Sequence, residues 1–270
     1  MIVSLDLIIV GALGRMGIEI ANVVLSDETV KLKACVEYPG HPRIGIDYGL
    51  STGKGTMGVP VVDSIDSLDF TNTVLIDFSS PKSTRSLLEK APQKKIPMVI
   101  GTTGLSEADI ESAKETAKEV PIIISPNMSL GVNLLFSLTR LVASRLKNEF
   151  DIEIIEAHHR FKKDAPSGTA RRIGEIVAEA MGRSYDEAVV NGRSGITDKN
   201  RSSDEIGMHA VRGGDIVGDH TVLFAGIGER IELRHLAHSR STFAKGAVAV
   251  AKWLSGQNAG FYTMNDVLGF

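Results

Sequence analysis

Cysteine is almost absent: Cys35 is the only one in 270 residues, so the chain can form no internal disulfide. The same count excludes cysteine-rich zinc and iron–sulfur sites and suits a reducing, cytoplasmic setting. An excess of charge of one sign is missing too. Lys and Arg total 30 against 33 for Asp and Glu, a formal net charge of −3. A sequence-independent nucleic-acid binder needs a broad cationic surface, so nucleic acid is not an expected partner. Long hydrophobic runs are scarce. The stretch MIVSLDLIIVG has no leading Lys or Arg and carries Asp6, which makes it a poor signal peptide. Val120–Thr139 is uncharged and long enough on paper to span a bilayer. Pro121, Pro126, Asn127, Ser129, Gly131 and Asn133 break it into strand, turn and helix start, so no membrane association is expected. No His-Glu-x-x-His occurs, and the pair His158-His159 has no third ligand at a telling spacing, so no metal is expected. Internal repeats and low-complexity segments are absent.

What remains is 43% hydrophobic and 23% charged, enough for one large domain or two modest ones. The first half alternates short apolar runs with helical stretches, the grammar of a parallel sheet covered by helices. Strands are expected at Leu5–Val10, Lys31–Glu37, Val74–Ser79, Ile96–Ile100 and Val120–Ser125. A helix follows Gly17. Another starts at Ser80-Pro81, serine at the cap and proline in the first turn, and Ser106 with Asp109 reads as a capping box. From Asn133 the pattern changes. A long amphipathic helix to Lys147 precedes a strand at Asp151–Ala157 and a helix at Gly168–Met181. Runs at Met208–Arg212, Val222–Ala225 and Arg230–Leu236, parted by glycine turns, suggest an antiparallel meander, and a helix at Thr242–Leu254 returns to the first lobe.

The first strand runs into Gly11-Ala12-Leu13-Gly14-Arg15-Met16-Gly17 and then a helix. Glycines permit a tight turn and let backbone N–H groups approach a pyrophosphate at the helix N-terminus. The spacing is G-x-x-G-x-x-G, and on glycines alone a simple strand–helix turn remains open. Glu37, twenty residues past Gly17 at the end of the second strand, can accept hydrogen bonds from ribose hydroxyls, and together they indicate a dinucleotide. The fold class expected is α/β: an N-terminal Rossmann-like dinucleotide-binding lobe, then a mixed α/β lobe with a largely antiparallel open sheet. The division is 1–129 with 239–270 for the dinucleotide, and 130–238 for substrate binding and oligomerisation. Gly49-Leu50-Ser51-Thr52-Gly53-Lys54-Gly55 falls one residue short of a P-loop and puts Gly55 where Ser or Thr would bind magnesium. It reads as a surface loop.

Chemistry concentrates in Glu156-Ala-His158-His159-Arg-Phe-Lys162-Lys163-Asp164-Ala-Pro166-Ser167-Gly168-Thr169-Ala170. By themselves the histidines could be surface or satisfied core residues and the lysines a solvated turn. Pro-Ser-Gly-Thr entering a helix offers N–H groups and hydroxyls to an anion. A histidine pair, a lysine and an anion nest on one loop suit proton transfer on an anionic substrate.

This segment resembles the signature of the dihydrodipicolinate reductase family, the 4-hydroxy-tetrahydrodipicolinate reductases of lysine and diaminopimelate biosynthesis. GALGRMG, IDFSSP, VIGTTG, Ser-Pro-Asn-Met, RGGDIVGDHTVLF and STFAKGAVAVAKWL agree in order, so the resemblance spans nearly the whole chain. It implies a cyclic imine-type dicarboxylate substrate and NADH or NADPH as cofactor. It makes His158 the acid/base group and Lys162 the proton donor, and gives the substrate carboxylates to His159, Gly168 and Thr169. Gly11–Met16, Glu37, Gly101-Thr102-Thr103 and Ser125-Pro126-Asn127-Met128 would line the cofactor. It also implies a homotetramer built through the second lobe's sheet. Some members carry Arg after the acidic residue, to pair with a 2′-phosphate. Tyr38 stands there and cannot supply that charge, so the expected lean is toward NADH. A semialdehyde dehydrogenase would need a nucleophilic cysteine in the second lobe and fails on count. A non-catalytic dinucleotide-binding redox sensor remains the alternative, with no evident reason to carry His158, Lys162 and Ser-Gly-Thr together.

Overall fold

The computed structural model describes residues 4–146, 149–196, 198 and 200–270. The chain divides into two compact units, Met1–Leu130 with Ser241–Phe270, and Gly131–Arg240.

Unit 1 is built on a seven-stranded sheet in which every strand pairing is parallel. Its strands are β1 (Leu5–Val10), β2 (Val30–Val36), β3 (Val61–Val62), β4 (Thr73–Asp77), β5 (Met98–Ile100), β6 (Pro121–Ile124) and β12 (Gly260–Tyr262), in the order β12-β6-β5-β4-β1-β2-β3. Both faces are covered, so the strands read as apolar runs with little alternation. Period-two geometry still sorts the side chains. Leu7 and Ile9 of β1 pack with Ile20 and Val24 of α1 (Arg15–Leu25) and Val250 and Leu254 of α8 (Ser241–Leu254). Ile8 and Val10 face the other way, onto Leu87 and Leu88 of α3 (Pro81–Lys94) and Ala113 of α4 (Glu107–Thr116). Ser80 caps α3 and Ser106 forms the capping box of α4 with Asp109, whose carboxylate Arg85 also holds at 2.6 Å. Cys35 lies fully buried among these side chains. Burial pushes its thiol far up, which leaves it a neutral core residue.

The expected loop at 49–55 begins with a turn of helix, α2 (Tyr48–Ser51). Asp47 caps it, its carboxylate accepting from the N–H groups of Gly49, Leu50, Met57 and Val59. β12 and the short α9 (Met264–Leu268) lie beyond the last expected helix.

Unit 2 holds a five-stranded mixed sheet: β7 (Asp151–His158), β8 (Val189–Asn191), β9 (Ile206–Arg212), β10 (Gly218–Ala225) and β11 (Arg230–Ala237), ordered β11-β10-β7-β9-β8. The long helix α5 (Leu130–Leu146), α6 (Gly168–Met181) and the short α7 (Tyr185–Ala188) complete it. Leu135 and Ala143 of α5 and Ile173 and Val177 of α6 pack with Ile152, Ile154, Met208, Val222 and Phe224 of the sheet. The expected meander is half right. β10 and β11 pair antiparallel, but β9 runs parallel to β7, and β7 separates it from β10. The turn after β9 is tied to the end of β7, with Gly213 N donating to His158 O and Arg160 N to Gly214 O. That pairing sets Arg212 beside His158 in register. Among the described residues no helix is long and apolar enough to cross a membrane.

Candidate active site

In unit 1 the C-terminal ends of the parallel strands share one edge, and the strand order reverses on either side of β1. A crevice at such a switch point is where open α/β sheets bind ligands. Here it is a groove of about 710 Å³ lined by Gly11, Gly14, Glu37, Tyr38, Phe78 and Ser79, among others. Gly11 has φ +75°, and a Cβ on it would stand 2.6 Å from Phe78 O. α1 starts at Arg15, so Gly17 lies within it, where a Cβ would meet Gly11 O at 2.2 Å and Ala12 Cα at 2.6 Å. The glycines therefore let the turn form and let helix and loop close on each other. The cap of α1 is Gly14, which supplies no side-chain acceptor, and its first turn has no carboxylate. N–H groups left that way favour an anion. Glu37 is 9% exposed, and its Oε1 accepts from Leu13 N at 2.7 Å, so the carboxylate braces the glycine turn from β2. This cradle fits a dinucleotide: backbone donors for the pyrophosphate and, lining the same groove, a carboxylate that can accept from ribose hydroxyls.

The other residues assigned to the cofactor sit on the same edge. Gly101 N donates to Asp77 O, and a Cβ there would stand 2.2 Å from the Phe78 ring. Thr102 Oγ1 accepts from Ser79 N at 3.0 Å. Ser125 Oγ donates to Asn127 O at 2.8 Å, and Ser129 N to Asn127 Oδ1 at 2.9 Å, which shapes the turn after β6. Met128 is buried against α8, where Gly246 leaves room for its carbonyl. The groove also takes in residues with no sequence signal. Lys82, Ser83 and Ser86 line it from α3, and Ser64 from the segment after β3. Their place depends on long-range strand order, which local periodicity does not carry.

In unit 2 a second cluster forms around the end of β7. His158 is 8% exposed, and its Nδ1 lies 2.6 Å from Glu156 Oε2. Glu156 is fully buried and also meets the Arg212 guanidinium fork at 2.7 and 2.8 Å and Ser167 N at 3.0 Å. Burial would raise its pKa, but these partners outweigh burial and hold it below the usual range. His220 stands edge-on to His158, ring centroids 5.2 Å apart, and Ser167 Oγ lies 3.1 Å from its Nε2. Burial pushes His220 down to about 4, so it is neutral near pH 7. Lys162 pairs with Asp164 at 2.9 Å, and Lys162 N donates to His159 O. His159 is half-buried beside Phe161. Gly168 and Thr169 open α6, which Ser167 caps by accepting from Ala170 N. Glu156, Arg212 and His220 were not singled out from the sequence. Glu156 could have been, because i and i+2 on a strand share a face.

Two family models match the chain: Dihydrodipicolinate reductase, N-terminus, over residues 5–128, and Dihydrodipicolinate reductase, C-terminus, over residues 131–268. The chain belongs to the dihydrodipicolinate reductase family. It is 48% identical over 259 residues to a 4-hydroxy-tetrahydrodipicolinate reductase of Pelobacter propionicus, covering 96% of this chain and 97% of that one. To the protein of the same name in Hahella chejuensis it is 49% identical over 261 residues, 97% of each chain. Among solved structures, the dipicolinate-bound dihydrodipicolinate reductase from Paenisporosarcina sp. TG-14 superposes with a TM-score of 0.77 at 25% identity, covering 96% and 97% of the two chains. A probable dehydrogenase from Thermotoga maritima, 12% identical with a TM-score of 0.60, shares the fold. Membership makes the chain an NAD(P)H-dependent oxidoreductase with a small-molecule substrate.

Proposed function

We propose that the chain reduces 4-hydroxy-tetrahydrodipicolinate (dihydrodipicolinate) to tetrahydrodipicolinate in lysine and diaminopimelate biosynthesis. Unit 1 holds the dinucleotide and unit 2 the dicarboxylate. One observation carries the reading: His158, Lys162 and the N-terminus of α6 lie on one short segment, and His158 rests on a buried carboxylate. The names of the relatives supply the substrate, and the dipicolinate bound by the Paenisporosarcina protein is a planar dicarboxylate of that class.

The cofactor supplies hydride when bound at Gly11, Ala12, Leu13, Gly14, Arg15 and Met16, with Glu37 toward the ribose. The turns Gly101–Thr103 and Ser125–Met128 complete its site. Side chains of unit 2 do the rest. The first-turn N–H groups of Gly168 and Thr169 and the imidazole of His159 hold the substrate carboxylates. Loss of the 4-hydroxyl as water gives the conjugated dihydrodipicolinate ring. Hydride arriving at its electron-poor carbon leaves an enamine-like anion, and the Lys162 ammonium stabilises that charge. Lys162 then protonates the neighbouring carbon, with His158 as the acid/base partner that manages the proton. Lys163 has no part.

Preference falls on NADH. Tyr38 is 62% exposed at the groove and brings no positive charge, while the adjacent Glu37 carboxylate repels a 2′-phosphate. Lys90, which also lines the groove, is held by Asp66 at 2.8 Å. The strand register places Ile155, Val211 and Leu236 on one face of the unit 2 sheet, all of them exposed. Burying that face between copies supports a homotetramer, and the soluble α/β architecture suits the cytoplasm. The test is consumption of reduced nicotinamide with substrate made in situ from pyruvate and aspartate semialdehyde by the preceding condensing enzyme. Turnover needing both protein and substrate, faster with NADH, is expected. Binding of NADH without turnover would leave the redox-sensor reading instead.

A further inference from the structure

The Glu156 carboxylate is held on both oxygens. It is fully buried and accepts from both terminal nitrogens of Arg212 and from Ser167 N, while its Oε2 faces Nδ1 of His158 at 2.6 Å. A carboxylate clamped by a guanidinium fork is ionised, and an ionised carboxylate can only accept hydrogen bonds. The proton on the 2.6 Å contact therefore belongs to the imidazole. Arg212 is itself fixed, donating to Val211 O at 2.7 Å and Asp164 O at 2.6 Å. On the opposite side of the ring, Gly218 leaves space: a Cβ there would come within 3.0 Å of His158 Nε2.

We propose that Glu156, kept charged by Arg212, is the positioning residue of this active site. It fixes neutral His158 as the Nδ1–H tautomer and leaves Nε2 as the atom that takes up and returns a proton. The proposal rests on the acid/base role given to His158 above. In each cycle Nε2 gains a proton and loses it, and Nδ1 keeps its own throughout. The Glu156 hydrogen bond becomes an ion pair while the ring is an imidazolium. Other charged and titratable groups facing the ring do not replace this. His220 is neutral near pH 7 through burial, as is His235 across the strand pair from it, and the Lys162 ammonium is paired with Asp164. The same carboxylate holds Ser167 N, so the cap of α6 and the histidine are anchored to one group.

Histidine side-chain ¹⁵N NMR on the whole protein is the test. With the ring neutral, wild-type His158 is expected as the Nδ1–H tautomer, and an Nε2–H spectrum would overturn the proposal without any variant. In Glu156→Gln the Arg212 fork takes the amide oxygen and turns the NH2 toward the ring, so the Nε2–H tautomer of His158 should appear. In the same variant kcat should drop tenfold or more with the KM for NADH unchanged, and Glu156→Asp should recover part of the loss. A folded Glu156→Gln protein with an unchanged His158 tautomer would also sink it. Should His158→Gln keep full kcat while the tautomer results hold, the acid/base reading fails and the positioning stands.

Discussion

Where unit 1 offers main-chain N–H groups on a glycine turn, unit 2 offers ionised side chains held by one another. The Gly11–Gly17 turn works because it lacks side chains: a single Cβ on Gly17 would collide with backbone at 2.2 Å. The His158 cluster works because it has them, the fully buried Glu156 carboxylate being satisfied by the half-buried Arg212 guanidinium, by His158 and by Ser167 N. Backbone donors grip a constant group, the pyrophosphate, with no titration to manage. Proton transfer needs groups whose charge can change, so that region accepts the cost of burying charge. The contrast implies a division of symptoms. Damage in unit 1 should appear as lost cofactor affinity, and damage in unit 2 as lost turnover.

The largest expected effect is on the unit 2 side. His158→Gln should lower kcat by about 10²-fold or more, as removal of a general acid/base does. Lys162→Met should lower it comparably, and NADH affinity by calorimetry should be unchanged in both. Loss of NADH binding in either would break the comparison. Next comes the mirror experiment. Gly17→Ala forces Gly11 O and Ala12 to move, and NADH affinity should weaken on the order of tenfold or more, roughly 1.4 kcal/mol. Turnover at saturating NADH should fall far less. An unchanged dissociation constant would show that the glycine turn does not grip the cofactor.

The same contrast explains what could be read from the sequence. The glycine turn is local: a strand, three glycines and a helix between Leu5 and Leu25, followed by Glu37 at a fixed distance. Parallel strands alternating with capped helices are local as well, and α6 occupies Gly168–Met181, the span its spacing predicts. β12 was invisible, being three residues at a sheet edge paired with a strand more than a hundred residues earlier. β9 was misplaced for a similar reason. Gly213 and Gly214 look like a hairpin turn, and nothing nearby says that β9 lies along β7 instead. Hence Arg212 escaped notice although His158 and Lys162 did not, because the histidine and lysine share one segment and the arginine reaches them through register. The groove residues Lys82 and Ser83 escaped in the same way.

A smaller effect should appear as acid sensitivity of unit 2. Burial lowers the pKa of His220 from 6.5 to about 4, so the unfolded chain takes up a proton that the folded chain refuses. Stability from this residue is complete above about pH 6.5 and is lost progressively as pH falls toward 4. The expected cost is on the order of 1–2 kcal/mol. Denaturant titrations at pH 7 and pH 5 should show a gap that narrows in His220→Gln. An equal gap in that variant would assign the acid sensitivity to other groups.

The smallest expected change tests how far backbone recognition alone sets cofactor choice. Tyr38 extends into solvent at the groove with its ring edge-on to His41, 5.0 Å between centroids, so replacing it disturbs no core packing. Tyr38→Arg places a guanidinium beside Glu37, whose carboxylate repels a 2′-phosphate. The gain is a solvated, charge-assisted contact of about 1 kcal/mol, so kcat/KM for NADPH should rise several-fold while that for NADH moves little. Because the pair is exposed, the gain should shrink as salt is raised from low to physiological ionic strength. If wild type already favours NADPH and Tyr38→Arg adds nothing, Lys82 becomes the next residue to replace, since it lines the same groove from the first turn of α3. Specificity would then reside in side chains even in the unit whose grip is otherwise made of backbone.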